Sequence, residues 1–109
     1  KGIARVVDYK TSKSSKYADT AQLELMALMV FKHFPFIRKV KAGLLFVVAN
    51  SFKPAEYEVA QEKIYWRQWM EDVRRLEVAH NLNVWNPSPS GLCKRHCVVL
   101  SCPHNGANT

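Results

Sequence analysis

Hydrophobic positions fall into two short runs and two longer periodic stretches, and each predicts a different element. From Lys1 to Thr11, the segment Ile3-Ala4-Arg5-Val6-Val7-Asp8-Tyr9 is rich in β-branched and aromatic residues and predicts a strand. Its period of two puts Asp8 and Lys10 on one face and Val7 and Tyr9 on the other. After a polar turn, Asp19-Thr20-Ala21-Gln22 opens a helix with Asp19 at N-cap and Gln22 at N3, a capping-box-like pair. Pro35 stops this helix at about Phe34. Apolar residues lie nearly all round its axis, so a well-buried helix is expected. Val40 to Asn50 contains the longest apolar run, Ala42 to Ala49, which predicts a central strand covered on both faces. Strand, helix and strand together predict a right-handed βαβ crossover.

Pro54 near N1, followed by Tyr57, Ala60, Ile64 and Met70 or Val73, predicts one long helix from Ala55 to His80. Tyr65, Trp66 and Trp69 on that helix offer faces for stacking on bases, with core packing as the favoured use. From Asn86 the Pro-Ser-Pro-Ser-Gly sequence breaks the pattern. The expected organisation is therefore a core over 1–85 and a cysteine-rich tail over 86–109.

Charge changes the picture. Sixteen basic residues against nine acidic ones give +7 over 109 residues, which points to an anionic partner, nucleic acid being the commonest. The basic residues recur at Lys10, Lys13 and Lys16, at Arg38, Lys39 and Lys41, and along the later helix and tail. No apolar run approaches the roughly 20 residues of a membrane span, so no membrane partner is expected.

All three cysteines lie in the tail, as Cys93-x3-Cys97-x4-Cys102. An odd count argues against a closed disulfide framework and for a reducing compartment or a metal-bound cluster. Three thiols within ten residues suit a metal that orders the tail, with His96 or His104 able to complete a Cys3His zinc site. Free thiols in a reduced protein are the other reading.

The candidate chemistry sits at Asp8-Tyr9-Lys10-Thr11. A carboxylate beside an ammonium on one sheet face can hold a divalent cation and steer an anionic substrate toward it. The plain alternative is a solvated ion pair worth under about 1 kcal/mol. Asp8-Tyr9-Lys10 resembles the (D/E)-x-K half-motif of the PD-(D/E)XK nuclease superfamily, and Val6-Val7-Asp8-Tyr9-Lys10-Thr11 is similar to its RecB-type branch. Gln22-Leu23-Glu24-Leu25-Met26 resembles that branch's Q-x-x-x-Y motif, with Met26 at the tyrosine position.

The resemblance implies an α/β, restriction-endonuclease-like core, here partial: β-α-β-α plus the cysteine-rich tail, without the usual N-terminal strands. It implies a Mg²⁺- or Mn²⁺-dependent deoxyribonuclease, an exonuclease of the phage or bacterial kind, acting in the cytoplasm of a bacterial or phage-infected cell. Asp8 and the Tyr9 backbone carbonyl would hold the cation, Lys10 and Gln22 would act on water and substrate, and Lys13 and Lys16 would contact DNA. Some members of that branch bind an iron–sulfur cluster through three C-terminal cysteines and one upstream, which adds iron–sulfur to zinc as a metal for Cys93, Cys97 and Cys102. The family's first metal-binding Asp has no counterpart here, so a missing N-terminal segment or a partner subunit is expected to supply it. A non-catalytic, basic DNA-binding module with a metal-stabilised tail is the alternative.

Overall fold

Two parallel strands need a crossover, and the helix between them supplies it. In the computed structural model, which describes residues 1–16 and 18–108, β1 (Ile3–Lys10) is followed by α1 (Ala21–His33) and β2 (Lys39–Phe46). Tyr17, in the polar turn, and Thr109 lie outside the described residues. β1 and β2 pair in parallel from Ile3↔Lys39 to Lys10↔Phe46, so the expected βαβ unit is present. Leu23, Ala27 and Phe31, four apart on α1, are buried against the alternating Val40, Ala42, Leu44 and Phe46 of β2. The fold is mixed α/β, built on a three-stranded mixed sheet.

Three local expectations are corrected. α1 is buried on one face only, because the sheet meets one side of it; Met29 on the other side is 52% exposed. The capping box does not form: Thr20 occupies the N-cap position with no side-chain cap bond, and Asp19 Oδ1 accepts from the Ala21 N–H at 2.9 Å. Gln22 is thereby left to bond elsewhere.

The third correction is larger. Ser51–Glu58 is a strand, β3, rather than the start of the long helix. β2 ends at Phe46, and the chain turns through 47–50, where Asn50 takes the left-handed conformation at φ 52°. β3 pairs antiparallel with β2 from Phe46↔Ser51 to Lys39↔Glu58, giving the order β1-β2-β3. Pro54 is tolerated because β3 is an edge strand. The segment carries two periods at once, and alternation prevails over helical spacing because it turns Ala55 and Tyr57 toward α1. The Tyr57 hydroxyl then donates to the Thr20 carbonyl at 3.2 Å.

After one 3-10 turn (Val59–Gln61), α2 runs from Glu62 to Leu82. It buries no residue fully, but Tyr65 packs edge-on against Tyr57 with ring centroids 5.5 Å apart. Tyr65, Trp66 and Trp69 are half-buried, as suits packing.

The chain forms two compact units, Lys1–Val73 and Arg74–Thr109. In the second, Ser90 caps the short helix α3 (Gly91–Arg95), its hydroxyl accepting from the Leu92 N–H at 3.2 Å. The buried Asn105 organises the chain beyond α3, donating to the carbonyls of Cys97 and Val99 and accepting from the Ala107 N–H. Among the described residues no helix is long and apolar enough to cross a membrane.

Candidate active site

Strand pairing fixes which side chains share the face under α1. Register places Asp8 beside Leu44 and Leu44 beside Lys53, while Lys10 lies beside Phe46 and Phe46 beside Ser51. Since α1 returns antiparallel to the strands, its first turn lies at the carboxyl end of β1, and Gln22 meets Lys10 there. Lys10, Lys13, Asp19 and Gln22 line a cleft of about 580 Å³ floored by Leu44 and Phe46, with Ser12 and Ser14 on its rim. Ligands favour such crevices at the carboxyl ends of parallel strands.

The two residues at the centre touch. Lys10 Nζ stands 2.8 Å from Asp8 Oδ2 and donates to Gln22 Oε1 at 3.0 Å. Asp8 and Lys10 side chains keep 22% and 35% of their exposure, so the pair is worth under about 1 kcal/mol. Asp8 Oδ2 is itself closed to water and has no aligned hydrogen-bond donor. The Lys10 approach satisfies its charge by distance but not by direction, and we take the oxygen as ion-paired and unbonded.

That oxygen is the test of fit for a divalent cation. A hard oxygen without an aligned donor is a cation ligand in waiting, and Tyr9 adds a second. The carbonyls of Gly2 and Lys10 accept from β2 or the residues flanking it, so alternation along the strand turns the Tyr9 carbonyl to the open edge of β1. One carboxylate and one carbonyl fit an ion of the Mg²⁺ kind that keeps most of its waters. Among the described residues no three His, Cys, Asp or Glu side chains gather into a fuller cage.

Other residues singled out from the sequence are dispersed. Lys16 is not among the cleft-lining residues, and its N–H bonds to Ser14 Oγ in the turn. Cys93, Cys97 and Cys102 are half-buried free thiols that the structure does not gather with His96 or His104 into a ligand set. The Cys93 thiol instead accepts from the Ser90 N–H in the cap of α3. The tail as folded does not fit a metal, and no chemistry is derived through one there.

Lys53 is the residue that sequence reasoning missed. It shares the sheet face of Asp8, two strand spacings or about 10 Å away, and donates to the Ala18 carbonyl at the cleft margin. Its alternation with Ala55 and Tyr57 was the available signal. On the opposite face, the charge of Glu56, with hydrogen bonds to Glu56 and Glu58, raises the Lys39 pKa and occupies that ammonium.

Compared with family models, curated proteins and solved structures, the chain matches none.

Proposed function

We propose that this domain is a metal-dependent DNA nuclease of the PD-(D/E)XK, RecB-like type, part of a restriction-endonuclease-like core that hydrolyses phosphodiester bonds. The observation that carries the reading is the contact of Asp8 and Lys10 on one sheet face, opening into a cleft with Lys13 and Gln22. A bound Mg²⁺ or Mn²⁺, held by Asp8 and the Tyr9 carbonyl, supplies polarisation of the phosphate and a more acidic water. Lys10 stabilises charge developing on the phosphoryl oxygens, and Lys13 holds a neighbouring phosphate of the DNA. Gln22 fixes the geometry around Lys10.

A further acidic ligand belongs to this reading, brought by another segment or a partner subunit. The backbone groups of Ile3, Arg5, Val7 and Tyr9 face the open edge of β1 and offer it a place to pair. The test is Mg²⁺-dependent digestion of linear DNA by the intact protein. Asp8→Ala and Lys10→Ala are each expected to abolish it, and wild-type digestion by either variant rules the reading out.

One observation favours a second reading, a non-catalytic DNA-binding module: Lys10 already neutralises Asp8 without any metal. In that case DNA binds with a steep salt dependence, and Mg²⁺ and EDTA make no difference to the length of the DNA.

A further inference from the structure

Lys10 is held by two acceptors of different kinds. Gln22 Oε1 receives an aligned hydrogen bond at 3.0 Å, whereas Asp8 Oδ2, at 2.8 Å, receives the ammonium without one. The direction of the side chain is therefore set by the neutral partner and its charge balance by the acidic one. We infer that Gln22 is a positioning residue for Lys10, an acceptor that keeps the ammonium in the cleft when Asp8 turns to a divalent cation. This rests on the metal-dependent reading above.

The physical reason is competition. An ammonium and a divalent cation cannot share one carboxylate oxygen without strong repulsion, since like charges a few ångströms apart cost about 1 kcal/mol per unit pair even in bulk water. Cation entry thus releases Lys10 from Asp8. A lysine on a flexible four-carbon stem with no other acceptor turns toward solvent, where its hydration is strongest. Gln22 prevents this, and as an amide it does so without cancelling the charge that the phosphate needs. Its place is fixed from both sides, by the start of α1 under Asp19 and by the end of β1. The bland account is an ordinary surface hydrogen bond, which stabilises the fold by about 1 kcal/mol and has no link to Asp8.

The two accounts differ in one measurable quantity, the reactivity of the Lys10 amine. The intact protein is briefly acetylated with an acetyl N-hydroxysuccinimide ester, and Lys10 is read by mass spectrometry against Lys32 and Lys63. Without metal, wild type, Asp8→Ala and Gln22→Ala are expected to label Lys10 slowly, because one acceptor is enough. The double variant is expected to label it at least several-fold faster. Gln22→Glu, which retains an acceptor, should behave as wild type. Adding Mn²⁺ should raise Lys10 labelling in Gln22→Ala toward the double variant, and leave wild type low.

Fast labelling in Asp8→Ala alone overturns the role of Gln22 and leaves the nuclease reading standing. Absence of any Mn²⁺ effect on Gln22→Ala, with the double variant fast, means the cation does not take Asp8. That result overturns the nuclease reading and the hand-off with it.

Discussion

The indole Nε1 of Trp69 donates to Glu24 Oε1 at 3.1 Å, joining α2 to α1 across 45 positions of sequence. α2 buries no residue fully, so this bond and the Tyr57–Tyr65 ring contact carry much of its attachment to the first unit. Trp69→Phe keeps most of the packing and removes the only donor of the indole. A loss of about 1 kcal/mol is expected, read from the midpoint of urea unfolding. An unchanged midpoint would mean that water replaces the indole at no cost.

Leu44 is fully buried between β1 and β3, and its side chain also floors the cleft. Leu44→Ala should destabilise by about 2–5 kcal/mol, the cost of lost burial plus a cavity. Leu76 on α2 is 59% exposed, and its truncation should stay within about 0.5 kcal/mol. Thermal unfolding of the two variants side by side checks the contrast.

Burial raises the pKa of Tyr57 above 10.0, against the opposing effect of its hydrogen bond to Thr20. The folded state then keeps a proton that the unfolded state gives up, so the contribution of Tyr57 is complete below pH 10 and declines as pH rises beyond it. Stability measured from about pH 9 to 11 should fall more steeply in wild type than in Tyr57→Phe. Parallel curves would remove Tyr57 as the cause.

A Cβ on Gly106 would overlap the backbone of Lys94, where the last turn of the tail (Gly106–Asn108) crosses α3. The obstacle is main chain and cannot swing aside. Gly106→Ala is expected to cost on the order of 1–3 kcal/mol of local order. Hydrogen exchange should show the amides near Asn105 and Ala107 losing protection, and unchanged exchange would contradict the contact.

Much of the first 46 residues was legible because each element there carries a single hydrophobic period. β1 alternates, α1 repeats every three to four residues, and β2 is a continuous apolar run, so the parallel crossover and the shared face of Asp8 and Lys10 followed from spacing. Residues 51–58 were misread because Tyr57 fits a helical stripe with Ala60 and Ile64 as well as a strand with Ala55. Local spacing weighs the two equally, and only the free edge of β2, waiting for a partner, decides between them.

The sequence by itself determined which side chains can share a strand face, because that depends on neighbours two positions apart. It also set the basic charge and the cysteine spacing. Tertiary structure alone decided that Gln22 bonds to Lys10 rather than capping its own helix, that Lys53 joins the face of Asp8, and that the three thiols stay apart as folded. These are contacts between positions distant in the chain or competing for one group, and their outcome depends on how the sheet closes.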